Sequence, residues 1–298
     1  MRLDRQLTTA IFHPLRRARP AVGFRLPVLM YHSLSDDPEN GVAPYYKTNT
    51  APSVFRRQMA MLAEDGYKTL DLMQSVRLLC AGDQPGPKTA ILTFDDGYRD
   101  FYVHAFPALQ EHGFTATVFL PTAYIAEDRR CFRNIECLTW SEIRELRKAG
   151  TAFGSHTVNH PELVQLTPAQ IKTELVESKA EIERQLGEKV PAFAYPYAFP
   201  QCNRHFAETF RDLLIQAGYA CCVTTELGRV RMGDDPYRLK RLPVNSLDDP
   251  ELFRAKLEGG YDWMAVSQAT IKSLKGCISS VVNGRIRVSG HRRPGAAK

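Results

Sequence analysis

At 298 residues, with 44% hydrophobic and 24% charged residues, the chain can bury one large α/β core or two smaller domains, and its make-up is that of an ordinary globular protein. No apolar stretch reaches the roughly 20 residues of a membrane-spanning helix. The opening Met1-Arg2-Leu3-Asp4-Arg5 leads into no sustained apolar segment or cleavage site, so a cytoplasmic chain is expected.

The formal charge of +6 is concentrated at the ends: residues 1–25 carry +5 and residues 271–298 carry +7, which leaves −6 for residues 26–270. We read a basic leader (1–24), one body (25–270) and a basic tail (271–298). The ends are either solvated or suited to peripheral contact with anionic lipid at the inner membrane face. They lack the interleaved aromatics of a base-stacking platform, so no nucleic-acid partner is expected. The seven cysteines include no CxxC pair and are read as reduced thiols, although Cys131 and Cys137 are close enough in sequence to pair across a loop. His13, His104, His112, His205 and His291 have no evident partners.

Elements follow in chain order. Residues 26–31 read as a buried strand ending at His32. Helices are expected over 52–66 and 71–81, a strand over 88–94, a helix over 98–112 and a strand over 115–120. Residues 121–138 read as a loop excursion. Thr139-Trp140-Ser141-Glu142 is a capping box that opens a helix closed by Gly150. After the short run 151–154, Thr167-Pro168 opens another helix that Gly187 closes. A strand over 190–195, a helix over 204–217, strands over 219–224 and 239–244, and a helix over 249–258 complete the body. Short apolar strands alternating with helices mean a parallel sheet covered by helices, either doubly wound or closed. His32, Asp95, His156 and Tyr197 each follow a different strand's carboxyl end, and a barrel brings all such ends to one mouth. That favours the closed form.

Three strings bear chemistry. Thr93-Phe94-Asp95-Asp96-Gly97-Tyr98 places two adjacent carboxylates at a strand end. Ser155-His156-Thr157-Val158-Asn159-His160-Pro161 places two imidazoles four residues apart. Phe193-Ala194-Tyr195-Pro196-Tyr197 follows a later strand, with Phe193 and Tyr195 read as core. One carboxylate with two histidines suits a divalent metal that keeps a position open for water, and a spare carboxylate beside it suits proton transfer.

TFDDGY, HTVNHP and YPY together resemble the first three motifs of the polysaccharide deacetylase family (the NodB-homology domain, carbohydrate esterase family four), over residues 25–260. The resemblance implies a distorted, incomplete (β/α) barrel with parallel strands. It implies Asp95 as general base, Asp96, His156 and His160 as ligands of a divalent metal, usually zinc, and the Tyr197 backbone N–H as an oxyanion donor. Two positions depart from the pattern: Ala194 stands where an Arg usually orients the base, and Ala198 where Gly is usual. A late Leu-x-x-His motif is also missing. The order is similar to a subgroup in which an early Tyr-His, here Tyr31-His32, faces the site; His32 is then the expected acid, and Arg241 a candidate for the absent Arg. The implied activity is metal-dependent removal of an N-acetyl group from an N-acetylated sugar in a polysaccharide, oligosaccharide or lipid-linked glycan, releasing acetate. Two other readings stay open: a deformylase or deacylase of another amino-sugar lipid, and a catalytically silent glycan-binding protein of the same fold.

Overall fold

Seven short apolar runs become the strands of one ring: β1 (Val28–Tyr31), β2 (Thr89–Phe94), β3 (Thr117–Leu120), β4 (Ala152–Ser155), β5 (Ala192–Ala194), β6 (Cys221–Leu227) and β7 (Leu239–Pro243). The computed structural model describes residues 2–19, 23–265 and 267–268. Each strand lies parallel to its predecessor, and Leu242 and Pro243 of β7 pair with Leu29 and Met30 of β1 to close the circle. The expected barrel is therefore present. It is incomplete in strand number, seven rather than eight, and irregular where β6 shifts register against β7.

Alternation along the strands divides the core into two apolar layers. Val28, Ile91, Phe119, Ala192, Ala194, Val223 and Leu239 fill the inside, which Leu72 and Val76 of a helix, α3 (Leu72–Ala81), close from below. Gly154 is required here. A Cβ on it would lie 2.4 Å from the Phe119 ring and 2.9 Å from the Ala192 carbonyl oxygen, so only a bare backbone lets that ring occupy the interior. On the outside, Tyr31 stacks on Phe94 at 5.2 Å, and Phe55 of α2 (Pro52–Glu64) meets Tyr31 edge-on at 5.2 Å.

Helix ends fall where local chemistry places them. Asp71 caps α3, and capping boxes at Thr139 and Thr167 open α5 (Trp140–Lys148) and α6 (Pro168–Leu186). Gly187, at φ +69°, ends α6. Between β2 and β3 runs α4, a π turn (Phe101–Ala105) continued as helix (Phe106–Glu111). The remaining covering helices are α7 (Arg204–Gln216) and α8 (Pro250–Glu258).

The leader is helical and docked. Leu3–Leu7, a π turn over Thr8–Phe12, and His13–Ala18 form α1, which lies against α8 and the segment after it. Phe12 stacks on Trp263 at 4.8 Å, Arg2 pairs with Asp248 at 2.8 Å, and Tyr261 donates to Asp4 at 2.7 Å. Arg5 pairs with Asp249 and Glu251, and Arg16 with Asp262. His13 is buried and bonded to Glu258 at 2.8 Å, so the expectation that it lacks a partner is corrected. The tail 271–298, with Cys277 and His291, lies outside the described residues.

Within the loop excursion, Cys131–Phe132 and Ile135–Glu136 form a small antiparallel hairpin turning at Arg133-Asn134. Cys131 pairs with Glu136 and is exposed, while Cys137 opposes Arg130 and is buried. Strand alternation thus turns the two thiols to opposite faces, and they remain free. No helix among the described residues is long and apolar enough to cross a membrane.

Asp100, just before α4, accepts a hydrogen bond from Ser33 Oγ at 2.6 Å, but its Oδ1 is buried without a partner. Burial pushes its carboxyl up to about 6, against the opposing Ser33 hydrogen bond and His104 charge. A carboxyl raised in the folded state favours folding at low pH, and that contribution is lost as pH rises from about 4 through about 6. Asp100→Asn, which cannot ionise, should therefore gain stability over the parent as pH rises through that window, by up to about 3 kcal/mol. Urea melts across the range measure it; a difference that stays flat with pH contradicts the account.

Candidate active site

Strand-end geometry brings the three motifs to one mouth. Asp95 directly follows β2, its amide donating to the Tyr31 carbonyl at 3.0 Å, and His156 directly follows β4, its amide donating to Leu120. His32 and Tyr197 leave the ends of β1 and β5. The ligand backbones are bent to fit: Asp96, Thr157, His160 and Tyr197 all have positive φ, between 53° and 71°. Such conformations cost about 1–3 kcal/mol each and persist where the surroundings over-determine them.

Here the surroundings do so. Glu174 on α6 accepts from the backbone N–H groups of Val158 at 2.8 Å and Asn159 at 3.0 Å, and from the Asn159 side chain at 2.8 Å. Thr157 Oγ1 accepts from the His160 amide at 2.9 Å. One carboxylate reaching in from the helical layer thereby clamps the loop that carries both histidines.

Asp96 Oδ1 lies 3.5 Å from His156 Nε2 and 3.3 Å from His160 Nε2. All three side chains are buried, and their candidate ligand atoms fall within 4.8 Å of one another. His156 Nδ1 is 2.8 Å from the Ala194 carbonyl. A carbonyl only accepts, so Nδ1 carries the proton and the Nε2 lone pair faces Asp96. Asp96 Oδ1 has no hydrogen-bond partner in spite of its burial. A tetrahedral zinc with bonds of about 2.0–2.1 Å holds its ligand atoms about 3.3 Å apart, the separation seen between Asp96 and His160. The donor set, its spacing and the orphaned oxygen fit a divalent cation. Burial and the nearby Asp96 charge push the phenol of Tyr98, which ends the first motif, up from its ordinary value.

Asp95 is held differently. Arg241 on β7, fully buried, reaches across the barrel and donates from Nη1 to Oδ1 and from Nη2 to Oδ2, both at 2.7 Å. Its Nε donates to the Thr224 carbonyl at 3.0 Å and its Nη1 also to Thr93 Oγ1 at 3.3 Å. Burial alone would raise the Asp95 carboxyl, but the Arg241 charge overcomes it and the group lies below its ordinary value. Arg241 is thus bonded to Asp95 as a bidentate partner although Ala194 occupies the usual position of that Arg.

His32 is half-buried, with Nε2 3.9 Å from Asp95 Oδ2, and burial lowers its pKa. Tyr197 is 43% exposed, and its ring meets His160 edge-on at 4.7 Å. Its amide has no protein acceptor among the described residues. Phe193 and Tyr195 are buried in a cluster against α6 and α7.

Sequence reading missed three supporting residues. Glu174 and Asp100 had no signal beyond being acids on helices. Arg133, at the hairpin tip, was signalled only by the Arg-Asn pair between Phe132 and Ile135.

Two outcomes follow. Arg241→Ala leaves Asp95 buried and unpaired and should cost about 3–5 kcal/mol; Asp95→Asn in the same chain should recover most of it, so a urea-melt double-mutant cycle should show strong coupling. Glu174→Ala should weaken zinc binding about 10–100-fold in a competition titration against a chromophoric chelator, while Glu174→Gln, which still accepts from two amides, should lose less.

Comparison with known proteins agrees with this architecture. Residues 82–222 match the family model described as polysaccharide deacetylase. YxkH of Bacillus subtilis (strain 168), assigned by its name provisionally to the polysaccharide deacetylases, is 30% identical over 244 residues, which is 82% of this chain and 79% of that protein. The poly-β-1,6-N-acetyl-D-glucosamine N-deacetylase of Escherichia coli (strain K12) is 30% identical over 147 residues, 44% of this chain but only 20% of the relative's length. Among solved structures, Streptococcus pyogenes deacetylase PplD in complex with acetate superposes with a TM-score of 0.67 at 27% identity, covering 79% of this chain and 99% of that one. By fold, by aligned length and by these motifs, the chain belongs to the polysaccharide deacetylase family.

Proposed function

We propose that the chain removes acetyl groups from an N-acetylated glycan by zinc-dependent amide hydrolysis. The observation that carries this reading is the pairing of the Asp96–His156–His160 cluster with an Arg241-clamped Asp95 at the same mouth. The E. coli relative is named as an N-deacetylase of poly-β-1,6-N-acetyl-D-glucosamine, and the S. pyogenes structure is titled as a deacetylase complex with acetate, which supports the same bond as the target.

Asp96, His156 and His160 would hold the zinc, which supplies acidity to a water and positive charge opposite the amide carbonyl oxygen. Asp95, ionised and unable to rotate, takes the proton from the attacking water. The Tyr197 amide, free of any described protein acceptor, is available to donate to the oxyanion of the tetrahedral intermediate. An amide anion is too basic to leave, so the nitrogen must be protonated as the C–N bond breaks. His32, whose Nε2 lies 3.9 Å from Asp95, is the group we assign to that transfer, taking the proton that Asp95 has received from the water and passing it to the nitrogen. The products are acetate and a free amino sugar.

The sequence expectation of contact with the inner membrane face rests on the exposed Arg17 and Arg19 of the leader and on residues 271–298. Arg2, Arg5 and Arg16 of the leader are engaged within the protein.

The test is acetate release from N-acetylated β-1,6- and β-1,4-linked glucosamine oligosaccharides. Turnover should vanish on chelation and return with zinc; His32→Ala should lower kcat at least about 100-fold while melting like the parent, and Asp95→Asn should lower it at least as far when assayed below its own melting temperature, which falls because Arg241 is left buried without its counter-charge. Acetate release that survives complete chelation, or that is undiminished in Asp95→Asn, sinks the proposal.

A further inference from the structure

The hairpin between β3 and α5 holds a cation over the mouth. Its anchor is Phe132, buried, whose ring lies 4.4 Å from Tyr124 and 5.0 Å from His160. Its base is tied to the first motif: the Leu138 amide donates to the Gly97 carbonyl at 2.9 Å, and the Arg99 amide to Glu136 at 2.8 Å. Arg129 is spent on Glu142 and Arg130 on the Ala123 carbonyl.

Arg133 at the tip is exposed and has no carboxylate partner among the described residues. Its guanidinium lies 5.3 Å from the Tyr197 ring and 5.0 Å from the Phe132 ring. Its charge reaches Asp96 and His160. A guanidinium stacked on aromatics is held in place without being neutralised, and keeps N–H groups for an incoming oxyanion.

Charge at the mouth points the same way. Arg241 cancels Asp95, and a dication on Asp96 and the two histidines more than offsets the remaining carboxylate. A dication there already leaves the mouth net positive, and Arg133 adds to that charge. A neutral glycan has no use for that charge; a glycan bearing oxyanions does.

Resting on the deacetylase reading above, we infer that Arg133 is a specificity residue that selects N-acetylated glycans carrying an anionic group next to the acetamido sugar. The recognised chemistry is a planar or tetrahedral oxyanion accepting from a guanidinium, which either a sugar carboxylate or a sugar phosphate supplies.

The test measures binding, so it does not depend on turnover. Calorimetry on the full zinc-loaded chain carrying His32→Ala to suppress turnover compares a hyaluronan tetrasaccharide (carboxylate) with tetra-N-acetylchitotetraose (neutral), and N-acetylglucosamine 6-phosphate with N-acetylglucosamine. At low salt at least one anionic probe should bind about tenfold tighter than its neutral counterpart, and the arm that does so identifies the anion. The preference should shrink as salt rises, disappear in Arg133→Gln and survive in part in Arg133→Lys. Absence of a preference in both arms overturns the inference, whether all probes bind alike or none binds, and so does a preference that Arg133→Gln retains. Loss of acetate release with the anion preference intact would instead count against the proposed reaction alone.

Discussion

A buried ion pair holds the mouth together. Arg241 and Asp95 are nearly solvent-free, and each alone at that depth would cost several kcal/mol. They stand because the donors are used: two to Asp95, one of them shared with Thr93, and Nε to the Thr224 carbonyl. The pair spans from β7 to β2 and, through Thr224, to β6, so three strand ends are locked by one side chain. The same clamp fixes both carboxylate oxygens against rotation while leaving each a further lone pair for a water proton. Stability and reactivity therefore share one interaction, and Arg241→Ala should damage both. Its position on β7, far in sequence from Ala194, is a consequence of closure: every strand end of a barrel borders the same space, so the counter-charge can be supplied from any of them.

The ligand loop shows the same economy of parts in a different form. Two of its residues adopt left-handed backbone, at Thr157 and His160, and an isolated loop would relax away from that. Glu174 prevents it from outside the barrel, taking three N–H groups of the loop on one carboxylate. Ala194 fixes the His156 ring through its carbonyl, which any residue at that position would offer. The site is thus preorganised by groups that never touch substrate, one of them on the helix that also covers β4.

Much of this was legible in the chain because it is local. Capping boxes at Thr139 and Thr167, the Asp71 cap and the Gly187 stop are chemistry among residues a few positions apart, and the elements begin and end there. The strand-end carboxylates and histidines were legible because three short motifs occur in one order, each closing a strand, and together resemble those of a known family; that resemblance, not spacing, singled out Asp96 as the ligand and Asp95 as the base. What escaped was non-local. The leader reads as a basic tail until Asp248, Asp249, Glu251, Glu258 and Asp262 come into view, each more than 240 residues away in sequence from its partner. His13 seemed partnerless on the same grounds. Glu174 is indistinguishable in sequence from the solvated acids around it on α6; only the fold turns it toward the loop.

Arg133 poses the question of how a local charge can matter where residues 26–270 carry a net charge of −6. The answer lies in range. At physiological ionic strength the screening length is about 8 Å, so carboxylates on the outer helices contribute little at the mouth. Among the groups within that distance are a neutralised Asp95, a metal-binding Asp96, and a guanidinium held on Tyr197 and Phe132. The backbone at Arg133 sits at φ +51°, a conformation that a long side chain adopts at a cost when Gly or Asn would be free to take it. Phe132 and the ties to Gly97 and Glu136 meet that cost, and what they secure is an uncompensated cation facing the acetamido site. Positive φ at both Arg133 and Asn134 is what a two-residue hairpin turn demands; the charge carried at its tip is not.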